Sequence, residues 1–147
     1  MTVFFRWRVY LDSNFFIRFV ESRDERLLHV FEQEAADLLT LYTSELTLAE
    51  VLVEPIRTGD LSLAGEYREF LSDDQQIDIV PIDRSILVRS AEVRATIGNK
   101  LPDAIHVATA AARSCNVFLS SDKKLRLPAQ MSRVALEDAD DLDQWPS

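Results

Sequence analysis

Four acidic residues, Asp12, Glu50, Asp103 and Asp122, stand where a folded chain could bring them together. Asp12 closes the apolar run Val9-Tyr10-Leu11, and Asp122 follows Asn116-Val117-Phe118-Leu119 after Ser120-Ser121; both runs read as strands. Asp103 begins one helical pattern and Glu50 lies inside another. In a sheet covered by helices, ligands gather beyond the carboxyl ends of the strands, so the four acids could meet on one edge. Meeting would carry a cost. Two carboxylates about 5 Å apart repel by roughly 3 kcal/mol at an effective dielectric of about 20. Such a set is unfavourable unless a cation sits among the acids or some of them are protonated.

Few other chemistries are open to this chain. Two histidines and one cysteine cannot build a four-ligand Cys/His zinc site. The three glycines, Gly59, Gly65 and Gly98, are scattered, which leaves no phosphate-cradling glycine loop. No Gly-x-Ser-x-Gly elbow is present for a serine hydrolase. Any catalysis must come from carboxylates and hydroxyls. A net charge of −9 argues against a nucleic-acid partner. That objection weakens because several acids lie in the tail Glu137-Asp138-Ala139-Asp140-Asp141-Leu142-Asp143, away in sequence from the four, and because others would be neutralised on a cation. Cys115 reads as a buried thiol. No run of 18 apolar residues is present to span a membrane and the start lacks a signal-peptide core, so a cytoplasmic location is expected.

The elements that must position the acids follow from periodicity. Ser13 or Asn14 is expected to cap a helix through Phe15, Phe16, Phe19 and Val20. A second helix carries Leu27, Leu28, Phe31, Ala35 and Leu38, and Leu39 to Thr43 reads as a strand. Helices are expected from about 45 to 56 and 61 to 71, broken at Pro55 and Gly59-Asp60. Ile77 to Ile82 is a third strand, and a helix from about Ile86 ends near Gly98-Asn99. Pro102 suits the first turn of the alanine-rich helix Ala104 to Ala112. The fourth strand ends at Leu119, and 132–136 supplies a fifth. Strands alternating with helices imply a parallel sheet between helical layers.

Four segments together resemble the PIN-domain family. Val9-Tyr10-Leu11-Asp12-Ser13-Asn14 is similar to its opening strand and acid, and Ser44 to Val51, with Glu50, to its second motif. The strongest likeness is Leu101-Pro102-Asp103-Ala104-Ile105-His106-Val107-Ala108-Thr109-Ala110; Phe118 to Asp122 resembles the final hydroxyl-x-Asp motif. The motifs keep family order and the likeness spans roughly 8 to 136, being nearest to VapC-type toxins of toxin–antitoxin pairs. It implies a single-domain three-layer α/β/α sandwich over 1–147, with a central, mainly parallel sheet of about five strands. It implies a ribonuclease that uses Mg²⁺ or Mn²⁺, hard ions that prefer oxygen ligands. Asp12, Asp103 and Asp122 would hold the principal metal, Glu50 would help hold a second ion or orient water, and Ser120 would steady the site by hydrogen bonding. Ser13 and Asn14 could assist from the first loop. The partners implied are an RNA substrate, a cognate antitoxin and a second copy in a homodimer; an apolar groove around Phe15, Phe16 and Phe19 could receive the antitoxin, although those phenylalanines read first as core.

Each acid also has a plain structural reading. Asp12 could cap a helix, Glu50 could close a capping box with Thr47, Asp103 could favour a helix dipole, and Asp122 could be a loop residue. His106 reads as a satisfied core residue or a support to the site, and His29 as a helix-surface residue. Lys123, Lys124 and Arg126 could meet phosphates or simply form a solvated face. Two other functions compete: a non-catalytic PIN-like module that binds RNA or protein, and an aspartate-based phosphatase or phosphotransfer domain. The phosphatase version normally needs a second aspartate two positions after Asp12, where this chain has Asn14. The leader Phe4-Phe5-Arg6-Trp7-Arg8, an extra edge strand or a partner contact, and the acidic tail lie outside the resemblance.

Overall fold

The structure is a computed structural model in which residues 6–72 and 76–146 are described. The first element, β1 (Trp7–Leu11), is followed by α1 (Ser13–Glu21), α2 (Glu25–Ala35), β2 (Leu39–Ser44), α3 (Leu46–Thr58) and α4 (Leu61–Phe70). Then come β3 (Ile77–Val80), α5 (Arg84–Thr96), α6 (Leu101–Ala112), β4 (Val117–Leu119) and β5 (Ser132–Val134), with two 3₁₀ turns at Leu136–Asp138 and Leu142–Gln144. The strands form one sheet in the order β3-β2-β1-β4-β5, every neighbouring pair parallel. The chain steps outward from β1 through β2 to β3, then crosses back to place β4 on the other side of β1. Strand order therefore reverses between β1 and β4, and a crevice at such a reversal is where parallel sheets bind ligands.

Burial on both faces explains why the central strands read as unbroken apolar runs. Val9, Tyr10 and Leu11 are all fully buried, yet successive side chains leave the strand on opposite faces. Val9 and Leu11 join Phe15, Phe16, Leu27 and Val51, which packs α1 to α4 on one side. Tyr10 joins Tyr42, Phe118, Val107 and Ala110, so α6 covers the other side, with α5 docked on it through Ile86, Ile105 and Ala108. The three-layer α/β/α sandwich is the observed architecture. Among the described residues, no helix is long and apolar enough to cross a membrane.

Several local expectations change. The cap of α1 is Asp12, not Ser13 or Asn14: its backbone is still extended (φ −72°, ψ 161°) and its carboxylate accepts from the Ser13 amide. α2 stops at Ala35, short of Leu38, because Asp37 turns left-handed (φ 65°) and the Leu38 amide folds back to the Gln33 carbonyl. Pro55 does not break α3. It lies in the last turn, where one hydrogen bond is forfeited, and Gly59 at φ +73° ends the helix. Of the leader, Phe4 and Phe5 lie outside the described residues, while Trp7 and Arg8 extend the central strand itself and form no extra edge strand. The acidic tail returns to the core. Leu136, Ala139 and Trp145 are buried there, and the Trp145 ring meets Trp7 edge-on at 5.6 Å.

Cys115, between α6 and β4, is 2% exposed, and burial pushes its thiol up to about 12. Thiolate is the reactive form, so at pH 8 the folded protein should resist Ellman's reagent and release one thiol equivalent per chain only on addition of denaturant. Rapid reaction of the native protein would show that this part of the core opens.

Candidate active site

The pairing of β1 with β4 sets the centre of the site. Leu11 stands opposite Leu119, which brings the residues just beyond each strand, Asp12 and Ser120, side by side at the reversal of strand order. The Asp12 amide donates to the Leu119 carbonyl at 3.2 Å and continues the ladder by one bond. The Ser120 hydroxyl, fully buried, donates to Asp12 Oδ2 at 2.7 Å and accepts from the Asp122 amide at 3.1 Å. One hydroxyl thus links the acid after β1 to the acid after β4. Asp12 Oδ1 takes the Ser13 amide at 2.8 Å, and Asp122 Oδ1 takes the Lys124 amide at 2.9 Å. The capping role of Asp12 is real and coexists with its place in the cluster.

Asp103, in the first turn of α6 after Pro102, faces the same centre. Partial burial raises its carboxyl above the ordinary value, and the charges of Asp12 and then Asp122 push it further the same way; His106 opposes them and Glu50 adds to them. The other three sequence-predicted acids are therefore within electrostatic reach of Asp103.

Glu50 arrives from the second turn of α3, and its capping-box reading fails. α3 has no side-chain cap, and Thr47 turns instead to the Thr43 hydroxyl at 2.8 Å. Thr43 in turn donates to the Leu11 carbonyl at 2.8 Å, which ties the ends of β1, β2 and α3 together. Glu50 Oε1 meets His106 Nε2 at 2.5 Å, and His106 Nδ1 meets the Tyr10 hydroxyl at 2.5 Å. The Tyr10 oxygen also accepts from the Ser44 amide at 3.1 Å. His106, only 2% exposed in its side chain, is a satisfied support beneath Glu50, whose own side chain keeps 32% of its exposure. Sequence reasoning missed Tyr10 and Ser44. The available signal was alternation: Tyr10 is out of phase with Val9 and Leu11, and so on the α6 face.

The remaining expected residues divide. Ser13 contributes its backbone amide, and Asn14 is exposed at the start of α1. Phe15 and Phe16 are fully buried and pack on Phe31 and Phe70, so they line no groove; Phe19 does border an apolar hollow with Val20, Leu28 and Phe70. His29 is 34% exposed and bonds Gln33 along α2. An open cleft of about 400 Å³ beside the acids is lined by Asn99, Lys100, Asp103, Asp122, Lys124 and Arg126. Its rim is clamped by Asn99, which donates to the Arg126 carbonyl at 2.8 Å and accepts from the Arg126 amide at 3.0 Å.

The donor set is all oxygen and anionic, which fits a hard divalent cation and suits no soft one. The side chains as they stand do not enclose an ion: among the described residues, no three His, Cys, Asp or Glu are arranged to hold one. Burial first, and then the charges of Asp12 and Asp122, raise Asp103, and a cation would relieve the second of these.

The fold and site define a class: a parallel α/β/α sandwich with acids gathered at the switch of strand order. Within that class the chain belongs to the PIN domain family, whose model matches residues 9–130. No curated protein matches the sequence significantly. Similar solved structures include VapBC2 of Rickettsia felis bound to a DNA fragment from its promoter, with a TM-score of 0.67 at 15% identity over 87% of this chain and 98% of that one. A toxin–antitoxin complex from Klebsiella pneumoniae aligns with a TM-score of 0.62 at 25% identity, over 80% and 88% of the two chains. VapC20 of Mycobacterium tuberculosis, a toxin that cleaves the sarcin–ricin loop, aligns with a TM-score of 0.63 at 13% identity over 80% and 92%.

The electrostatics and the hydroxyl link can each be tested by stability. A carboxyl raised by folding costs stability wherever it is ionised, so the cost is absent below the unfolded value and grows as pH rises through the folded one. In EDTA at pH 7, Asp103→Asn should melt above wild type, with the gap closing as pH falls below the usual carboxylate range. A variant that melts lower at pH 7 would refute the repulsion. Ser120→Ala should lose about 1–3 kcal/mol, the cost of stranding a buried donor, measured by urea unfolding; an unchanged midpoint would mean that the hydroxyl links nothing.

Proposed function

We propose that the protein is a Mg²⁺- or Mn²⁺-dependent endoribonuclease, and the toxin of a toxin–antitoxin pair. One observation carries the reading: four carboxylates, from the end of β1, α3, α6 and the loop after β4, share one electrostatic centre, with Ser120 joining the Asp12 carboxylate to the backbone amide of Asp122. Asp12, Asp103 and Asp122 would hold the principal cation, and Glu50 a second ion or the attacking water. A bound divalent ion would lower the pKa of water and offset charge on the phosphate and leaving oxygen. The chain's own part is to hold that geometry. Ser120 keeps Asp12 Oδ2 turned inward, and Glu50 Oε2 would accept a hydrogen from the attacking water while Oε1 stays on His106. Lys100, Lys124 and Arg126 on the cleft rim would take flanking phosphates of single-stranded RNA, offsetting locally an overall charge of −9.

The antitoxin partner is supported by two similar structures that are themselves toxin–antitoxin assemblies. The hollow beside Phe19, Val20, Leu28 and Phe70 is where an apolar antitoxin segment would dock. The toxin would act in the cytoplasm and pair with a second copy of itself.

The test is cleavage of a broad panel of single-stranded and structured RNAs with Mg²⁺, Mn²⁺ or EDTA, beside a folded Asp103→Asn variant. Cleavage should require metal and fall at least a hundredfold in the variant, on the order of what single groups contribute to catalysis. Cleavage equal in both proteins would place the chemistry elsewhere. No cleavage with either metal, once any copurified antitoxin is removed, would favour a binding module without catalysis.

A further inference from the structure

One chain of hydrogen bonds runs from the Ser44 amide through Tyr10 and His106 to Glu50. The Ser44 backbone N–H donates to the Tyr10 oxygen, and the Tyr10 hydroxyl also meets His106 Nδ1, to which it donates when that nitrogen is unprotonated. A neutral imidazole that accepts at Nδ1 carries its hydrogen at Nε2. That N–H then points at Glu50 Oε1. No buried side-chain nitrogen or oxygen among the described residues lacks a partner, those of His106 and Tyr10 included. Tyr10 is fully buried on β1 and His106 is buried on α6, while Glu50 alone reaches the solvent-exposed edge, from α3. Three elements that share no sequence proximity meet on one imidazole.

We propose that Tyr10 and His106 are positioning residues for Glu50. Tyr10 sets the histidine tautomer, and His106 holds Oε1 so that Oε2 remains for the cation or its water. This rests on the nuclease reading above for its purpose, though the relay itself is a property of the metal-free protein. An outer partner that orients a carboxylate or histidine ligand typically contributes ten- to a hundredfold in metal affinity, so truncating the relay should be felt at the metal although neither residue touches it.

The experiment is Mn²⁺ binding to the full chain without RNA, read from the electron paramagnetic resonance signal of the free ion. The proteins compared are wild type, Tyr10→Phe, His106→Asn, His106→Gln, Glu50→Gln, and Glu50→Gln combined with Tyr10→Phe. Circular dichroism confirms the fold of each. Tyr10→Phe and His106→Asn should weaken Mn²⁺ binding roughly tenfold. His106→Gln, whose amide nitrogen falls near the position of Nε2, should restore most of that loss. The double variant should bind no worse than Glu50→Gln alone, because residues that act through one carboxylate have nothing left to act on. The ¹⁵N shifts of His106 in metal-free wild type should report hydrogen at Nε2.

Binding that Glu50→Gln weakens but Tyr10→Phe and His106→Asn leave unchanged would overturn the relay alone. So would losses that add in the double variant, or a hydrogen found at Nδ1. Wild-type protein that binds no Mn²⁺ would overturn both the relay's purpose and the reading beneath it.

Discussion

Holding four carboxylates at one sheet edge is the constraint around which the site is built. Acids that repel will spread unless rigid elements hold them, and here each comes from a different place in the fold: the junction of β1 and α1, α3, α6 and the loop after β4. The reversal of strand order between β1 and β4 makes this possible, because it opens a crevice at the one sheet edge that all four can reach. Asp103 bears the strain, its carboxyl raised by burial and by Asp12 and Asp122.

What keeps the acids facing one another is a set of short polar links lying just under them. Ser120 joins Asp12 to the backbone of Asp122, Thr43 joins β1 to α3 through Thr47, and Tyr10 joins β2 to α6 and α3 through His106. Ser120, Thr43, Thr47, Tyr10 and His106 are almost fully buried, where an unmade hydrogen bond is expensive. Geometry at the cleft is therefore enforced from within the core, while the cleft rim stays open and carries basic side chains.

Much of this is legible in the residues alone. Apolar runs ending in Asp12 and before Asp122 mark β1 and β4, and Pro102 with the alanine-rich stretch marks α6. Four motifs in order point to the family. Legibility fails where tertiary partners choose between equal local options. Thr47 and Glu50 have capping-box spacing, but Thr43 and His106 outcompete the helix start for them. Asp37 could continue a helix and instead adopts a left-handed turn, leaving Leu38 42% exposed. Pro55 reads as a break because proline is costly mid-helix, but in the last turn it forfeits little. The phenylalanines of α1 read as core more readily than as a groove, and Phe15 and Phe16 are indeed buried against Phe31 and Phe70. The tail reads as merely acidic, since nothing local announces that Trp145 will return to Trp7.

The central claim is that these carboxylates form one cation site, and crystals grown with Mn²⁺ test it most directly through anomalous scattering. The expected result is a peak in contact, directly or through water, with Asp12, Asp103 and Asp122, with Asp103 drawn toward the other two. An ion bound only elsewhere, or no ion at a concentration that supports RNA cleavage, would contradict it.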